Sequence, residues 1–410
     1  MKFGVNYTPR QGWFYSWLDF DAGAVAADFA QIKSIGADHV RIFPLWPLLQ
    51  PNRNLIRTAA VDAVVTTAQL AHEAGLESSI DVLQGHLSSF DFLPSWVSTW
   101  HDRNIFTDPQ VVAAQQDLVR VLGEALRDIP GTTGLTLGNE FMQFAAQRHP
   151  HRHKTSPQEA LTWLDSLLGE AKRVWPHGRH VQSHDDDLWF EPSQPFGPQA
   201  AVTRGDSTTV HSWVFGALGP RYGVDSPLLP WFARYLCELA AAWSNDPHRP
   251  IWLQEVGAPE NYVSVGKAPE FLIDTVDALM GARGGGVSPN LEAITWWCSH
   301  DVSSELVDFP YFEHSLGLID EHGNIKPIGE AFKVSAKKWA FVDDAEASNV
   351  VRRNAAQNEA GVKRESLTVV VDENTRNLSN PYGQIFDTWI DLALDGDVRA
   401  LRLADRGGED

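Results

Sequence analysis

Leu135-Thr136-Leu137-Gly138-Asn139-Glu140 is a strand-like apolar run that ends on a carboxylate, and Ile251-Trp252-Leu253-Gln254-Glu255 repeats the pattern further along. Strand and helix patterns alternate around both. Eight strand candidates can be placed: Lys2-Asn6, Ala37-Phe43, Leu76-Val82, Thr133-Asn139, His180-His184, Thr208-His211, Ile251-Glu255 and Ala293-Trp297. Such alternation predicts parallel strands joined by helical crossovers. The helices carry ordinary punctuation. Asp108-Pro109 opens one over Gln110 to Arg127, Ser156-Pro157-Gln158-Glu159 reads as a capping box, and Gly36 and Gly75 stop two others. Eight units within residues 1–340 predict an α/β fold, a (β/α)8 TIM barrel, whose usual size is about 250 residues plus insertions. A doubly wound open sheet is the rival. It lacks its phosphate loop, because Asn6-Tyr7-Thr8-Pro9-Arg10 follows the first strand with no Gly-x-Gly-x-x-Gly.

Beyond Phe341 the composition turns polar, and residues 341–366 read as a linker or surface strap. Leu367-Val371, Pro381-Leu394 and Val398-Leu403 then read as strand, helix and strand. So short a piece buries little core alone. The sequence therefore predicts a small C-terminal β-α-β extension over 367–410 that packs on the barrel or on a neighbouring subunit of a homo-oligomer.

The chain has 410 residues, 43% of them hydrophobic, and a formal net charge of -20. With 53 acids against 33 Lys and Arg, a nucleic-acid partner is not expected, because a phosphate backbone is gripped through surplus cations. No apolar run is long enough to cross a bilayer, so no membrane partner is expected either. Two cysteines, Cys237 and Cys298, support neither a disulfide framework nor a cysteine zinc site and read as core thiols. The first strand begins at once, with no leader pattern ahead of it. A cytoplasmic protein is the expectation.

In a (β/α)8 barrel the site lies at the C-terminal strand ends, so the polar residues there are read together. They are Arg41, His86, Asn139 with Glu140, His184 with Asp185, His211, Glu255 and the pair Trp296-Trp297. Two carboxylates facing each other across a barrel mouth can cleave a glycosidic bond without cofactor or metal: one protonates the leaving oxygen and the other attacks the sugar carbon. Asn139 is placed to bond a sugar hydroxyl, Arg41 to keep Glu255 ionised, and tryptophan faces to stack on a sugar ring. His149, His151 and His153 alternate as metal ligands on a strand would. They stand among Arg148, Arg152 and Lys154, however, and read as a solvated basic loop. Asp185, Asp186 and Asp187 lack the spaced ligands of a calcium loop.

These motifs, in this order, resemble the retaining glycoside hydrolases of clan A, most closely family 5, over residues 1–340. Leu137-Gly138-Asn139-Glu140 is similar to the family's acid/base motif and Trp252-Leu253-Gln254-Glu255-Val256-Gly257 to its nucleophile motif. Arg41, His86, His211 and Trp296 or Trp297 match its strand-end arginine, histidines and tryptophan. Where the family has His-x-Tyr on strand six, this chain has His211-Ser212-Trp213. The resemblance leaves Tyr7, Tyr222 or Tyr262 to replace that tyrosine near the nucleophile.

The opening Gly4-Val5-Asn6-Tyr7-Thr8-Pro9-Arg10 and the tryptophan-rich loops further resemble an intracellular bacterial subfamily of exo-β-mannosidases that act on the N-glycan core. That resemblance implies a small oligosaccharide substrate such as Manβ1,4GlcNAc. It also implies a pocket wall from Asp185, Asp186, Asp187 and Trp189 and from His300, Asp301 and Glu305. A β-glucosidase or β-galactosidase, an endo-β-mannanase, a non-catalytic carbohydrate-binding barrel and a metal-dependent hydrolase are the alternatives.

Overall fold

A computed structural model describes residues 1–100, 103–284, 287–340 and 366–403. Eleven strands occur among them: β1 (Lys2–Asn6), β2 (His39–Ile42), β3 (Glu77–Asp81), β4 (His86–Leu87), β5 (Phe90–Asp91), β6 (Thr132–Thr136), β7 (Thr208–Ser212), β8 (Ile251–Val256), β9 (Leu291–Trp296), β10 (Leu367–Val369) and β11 (Leu401–Leu403). Seven form one sheet in the order β6-β3-β2-β1-β9-β8-β7, every neighbouring pair parallel. Most of their residues are buried, as parallel strands covered on both faces require. β4 and β5 make a short antiparallel hairpin beyond β3.

The fifth predicted strand, His180-His184, is the difference. Val181 makes one parallel bridge to Thr136, with its N–H donating to the Leu135 carbonyl and its own carbonyl accepting from Leu137, both at 2.9 Å. On its other side the ladder towards β7 is replaced. There the Asp206 N–H donates to the His180 carbonyl at 2.8 Å, and the Thr209 hydroxyl donates to the Gln182 carbonyl at 2.9 Å. A side-chain donor satisfies the carbonyl without regular strand pairing. Gly134 permits the approach, since a Cβ there would lie 1.7 Å from the Arg179 carbonyl oxygen.

The crossover helices follow their caps. Asp108 accepts from the Gln110 and Val111 N–H groups at 2.8 and 3.1 Å and starts helix Pro109–Leu126. Ser156 and Glu159 form the reciprocal capping box of Pro157–Val174. Each such cap contributes about 1 kcal/mol. Val111, Leu118, Leu122 and Leu126 lie on one helical face and enter the common core.

In the C-terminal segment β10 and β11 pair in parallel, joined through helix Gln384–Leu394. The Phe386 and Trp389 rings of that helix pack 4.8 and 5.2 Å from Tyr235 in helix Phe232–Trp243. Both belong to the same core cluster as the large sheet's residues. The linker expected over 341–366 lies, but for its last residue, outside the described residues. Cys237 and Cys298 are buried and unpaired. Among the described residues no helix is long and apolar enough to cross a membrane.

Candidate active site

Arg41 is the fixed point of the site. It is fully buried at the end of β2 and clamps Asp81 through two bonds, Nε to Oδ1 at 2.9 Å and Nη2 to Oδ2 at 2.7 Å. Its remaining donors reach Glu255 Oε1 at 2.8 Å, Asn139 Oδ1 at 2.8 Å and Ser183 Oγ at 3.1 Å. One planar cation thus ties the ends of four chain segments into one geometry. Asn139 passes the constraint on, its Nδ2 donating to the His86 carbonyl at 3.3 Å.

Glu140 follows at the turn out of β6, with φ at 43°, a left-handed conformation that costs a non-glycine residue about 1–2 kcal/mol. Gly138 brings the turn close to the neighbouring backbone, since a Cβ there would lie 2.4 Å from the Leu83 carbonyl oxygen. His211 Nδ1 lies 2.7 Å from Glu140 Oε1 and 3.3 Å from Glu255 Oε2. Its Nε2 faces Ser183 Oγ at 3.1 Å and Gln254 Oε1 at 3.3 Å, so the ring is held at both nitrogens. One ligating atom from each of Glu140, His211 and Glu255 falls within 4.8 Å of the others.

Burial raises both carboxyl groups. Glu140 is pushed up to about 8 by burial and by the Asp185 charge, against His86, Arg148 and Arg41. Glu255 rises to about 7 through burial and the Glu140 charge, against His211 and Arg41. His211 is lowered, chiefly by burial.

The glutamates stand in a cleft of about 680 Å³, a size suited to a small-molecule ligand. Trp213 and Trp297 wall it, their rings 6.3 Å apart and inclined at 76°. Gly257 makes room for both, because a Cβ there would come within 2.9 Å of the Trp213 ring and of the Trp297 carbonyl oxygen. Trp296 points the other way. It is buried at 6.4 Å from Phe271 in helix Ala268–Leu279, so of the tryptophan pair Trp297 faces the cleft.

His86 also lines the cleft, its Nδ1 2.9 Å from Asp91 Oδ1. Burial is the largest influence on its pKa and pulls it down. The Asp91 hydrogen bond and the Glu140, Asp91 and Asp185 charges outweigh burial, and the pKa is raised. Asp185 lines the cleft beside Glu140, bonded by Gln143 and, at 2.9 Å, by Arg148.

Tyr7 is a correction. Its hydroxyl donates to Asp28 Oδ2 at 3.0 Å, and its buried ring lies in the core rather than the cleft. Tyr222 donates to Asp387, and Tyr262 packs beside Gly219. Besides Arg41, the donor to Glu255 is Trp213 itself, Nε1 to Oε2 at 3.1 Å. The wall expected from strand eight also differs. His300 is buried against Ser299 and Gln31, and Asp301 pairs with Lys326 at 2.8 Å. Glu313 faces the cleft instead, accepting from Ser88 Oγ at 3.1 Å. Trp189 is core. His149 faces Asp91 Oδ2 at 3.1 Å and His153 accepts from the Ile105 N–H, so the alternating histidines do not converge. Sequence reasoning missed Ser88, in the β4–β5 turn, Gln143 and Glu313, in the short helical turns Phe141–Ala145 and Tyr311–Ser315, and Asn380 and Tyr382 beyond residue 366, none of which a strand-end pattern singles out.

Neither a protein-family profile nor a curated protein matches the chain. Solved structures do. A Glu-to-Ala variant of GH5_18 from Streptomyces cattleya in complex with Manb1-4GlcNAc superimposes with a TM-score of 0.91 at 41% identity, over 100% of this chain and 95% of that one. GH5_18 from Bifidobacterium longum subsp. infantis gives 0.89 at 43%, over 98% and 92%. A Glu-to-Ala GH5_18 variant from Bifidobacterium longum subsp. longum, also with Manb1-4GlcNAc, gives 0.89 at 42%, over 98% and 91%. Near full-length likeness at this identity places the chain among the GH5_18 enzymes of glycoside hydrolase family 5.

Proposed function

We propose that this glycoside hydrolase is a retaining exo-β-mannosidase that releases mannose from Manβ1,4GlcNAc, the core disaccharide of N-glycans. The carrying observation is the Glu140–His211–Glu255 cluster, whose ligating atoms lie within 4.8 Å of one another at the base of the cleft. That span fits the carboxyl separation of about 5–5.5 Å used for retention and falls short of the about 6.5–9.5 Å that inversion needs for an intervening water. Two relatives hold Manb1-4GlcNAc, which supports the substrate. Ser88 and Glu313 both line the cleft and their bond joins the loops beyond β3 and β9; we read that side as the one that receives the non-reducing sugar, which supports exo action.

In the first step the ionised Glu255 attacks the anomeric carbon while Glu140 gives its proton to the departing oxygen, so the glycosidic bond breaks as the glycosyl ester forms. In the second, Glu140 takes a proton from water, which displaces Glu255 and restores both groups. Arg41 and Trp213 hold Glu255 charged and aimed, and Trp297, Asn139, His86 and Asp185 bound the sugar. We read the sheet with its Val181 bridge as an eightfold barrel over residues 1–340, carrying the β10–β11 segment as an extension. Cytoplasmic action on short imported oligosaccharides accords with two cysteines that are both free thiols.

The test is a pair of variants on an aryl β-mannoside. Glu255→Ala abolishes turnover, whereas Glu140→Ala still forms the glycosyl-enzyme when the leaving group needs no proton. Proton NMR shows β-mannose as the first product. Turnover by Glu255→Ala, or α-mannose released first, overturns the mechanism.

A further inference from the structure

We infer that Gln254 is a positioning residue that fixes His211 as its Nε2–H tautomer, so that the bare Nδ1 receives the proton of Glu140; this rests on the mannosidase reading above, with Glu140 as its acid. Gln254 stands immediately before Glu255 and is fully buried. Neighbours on a strand ordinarily face opposite sides of the sheet. Here β8 carries a bulge. Leu253 pairs with Val210 and Glu255 with His211, which leaves Gln254 as the extra residue. Both Gln254 and Glu255 therefore reach the His211 ring, Oε1 of the first lying 3.3 Å from Nε2 and Oε2 of the second 3.3 Å from Nδ1. The bulged carbonyl of Gln254 accepts from Asn6 Nδ2 at 3.0 Å.

The tautomer follows from where each hydrogen goes. Thr136, the last residue of β6, gives its hydroxyl hydrogen to Asp81. Its oxygen is then an acceptor for Gln254 Nε2 at 3.4 Å. With its amide nitrogen so engaged, Gln254 turns Oε1 to His211 Nε2. The other neighbour of Nε2 is Ser183 Oγ, at 3.1 Å. That hydroxyl donates to Asn139 Oδ1 at 3.4 Å and accepts from Arg41 Nη2 at 3.1 Å. Both neighbours of Nε2 are thus acceptors, and Nε2 carries the hydrogen.

A buried ring that stays neutral then has a lone pair at Nδ1. Glu140 Oε1 lies 2.7 Å from it. Glu255 already receives Arg41 at Oε1 and Trp213 at Oε2, at 2.8 and 3.1 Å, so the proton facing Nδ1 is the one on Glu140. This arrangement favours protonated Glu140 and opposes its ionised form, because the lone pair would face a carboxylate. It keeps the acid loaded before cleavage and strengthens the base that takes a proton from water in the second step. The charged and titratable groups around the Glu140–His211 pair are Arg41, Asp81, His86, Arg148, His184, Asp185 and Glu255. Gln254 is uncharged, so its replacement by Met leaves all of them in place.

Two measurements test the assignment. In nitrogen-15-labelled wild-type protein at neutral pH, long-range proton–nitrogen NMR of the imidazoles, with His211 assigned by its loss in His211→Asn, is expected to show a hydrogen on Nε2 and none on Nδ1. Gln254→Met removes the acceptor and frees the ring to donate Nδ1–H to ionised Glu140. The alkaline limb of kcat/KM on Manβ1,4GlcNAc, whose leaving sugar needs a proton, is then expected to move down by about one pH unit, the shift produced by one added hydrogen bond to a carboxylate. A packing defect alone would lower activity at every pH and leave that limb in place. A hydrogen on Nδ1 in the wild type, or an unmoved alkaline limb in the variant, overturns the positioning role. If the variant does not fold, the wild-type spectrum decides. Wild-type protein that cleaves no β-mannoside overturns the mannosidase reading, and the spectrum still tests the tautomer.

Discussion

The indole N–H of Trp213 donates to Glu255 Oε2 at 3.1 Å, from the strand position that family 5 gives to a tyrosine. Both side chains put a donor on the end of a flat ring, and the longer indole reaches the carboxylate while stacking on Phe215 at 5.1 Å. A hydrogen bond to a charged acceptor contributes about 1.5–3 kcal/mol, so Trp213→Phe should lower kcat/KM on an aryl mannoside by about 10- to 100-fold. Losing a donor to the ionised form also moves the acidic limb of the pH profile upward. Trp213→Tyr, which restores a donor, should recover part of the loss. Unchanged kinetics in the phenylalanine variant would show that the bond carries no catalytic weight.

With Glu255 as the nucleophile and Glu140 as the acid, as proposed above, the two raised carboxyl groups predict a bell-shaped pH dependence. Activity needs Glu255 ionised, so it falls as pH drops below about 7. It needs Glu140 protonated, so it falls as pH rises above about 8. The free-enzyme profile of kcat/KM should therefore peak in a narrow window between these values. In Glu140→Ala, assayed on a leaving group that needs no proton, the alkaline limb should vanish and the acidic limb remain. An alkaline limb that survives the substitution would assign it to another group.

Glu140, Glu255, His86 and Asn139 line one cleft, and Arg41 and His211 reach its carboxylates, which accords with reading polar residues at the C-terminal ends of parallel strands together; the roles given to them are those proposed above. Tyr7 failed that rule for a physical reason. It follows β1 but turns its ring into the core, where Asp28 accepts its hydroxyl. The two tryptophans illustrate strand alternation, Trp296 facing the helices and Trp297 the cleft. The segment His180-His184 reads as a strand by composition, yet a side-chain hydroxyl and a single backbone bond take the place of its second ladder. Glu313, Asn380 and Tyr382 reach the site through loop paths that no local spacing encodes.

Arg41 should prove as important to folding as to catalysis. It is buried with Asp81 and Glu255, and its donors are divided among these carboxylates, Asn6, Asn139 and Ser183. Arg41→Met leaves two buried acids without a counter-charge, a loss of about 3–5 kcal/mol of stability. Differential scanning calorimetry at neutral pH should show a lowered Tm. Arg41→Lys keeps the charge but not the planar fork, so it should retain more stability while its acidic limb moves upward. An unchanged Tm in the methionine variant would contradict the structural role.

Glu313 offers a separate handle on the side of the cleft where it bonds Ser88. Burial pushes its carboxyl up to about 7 while Ser88 Oγ holds one oxygen at 3.1 Å. A carboxylate beside Trp297 is placed to accept hydroxyls of the non-reducing sugar, and those bonds are stronger when the acceptor is charged. Glu313→Gln preserves shape and removes charge. It should reduce kcat/KM about tenfold on the disaccharide and on the aryl mannoside alike, because both place mannose at this end. The effect should be larger at pH 8 than at pH 6, since the wild-type group is ionised only above its raised value, whereas the amide has no charge to lose. A loss confined to the disaccharide would instead put Glu313 beside the leaving sugar and reverse the orientation of the substrate.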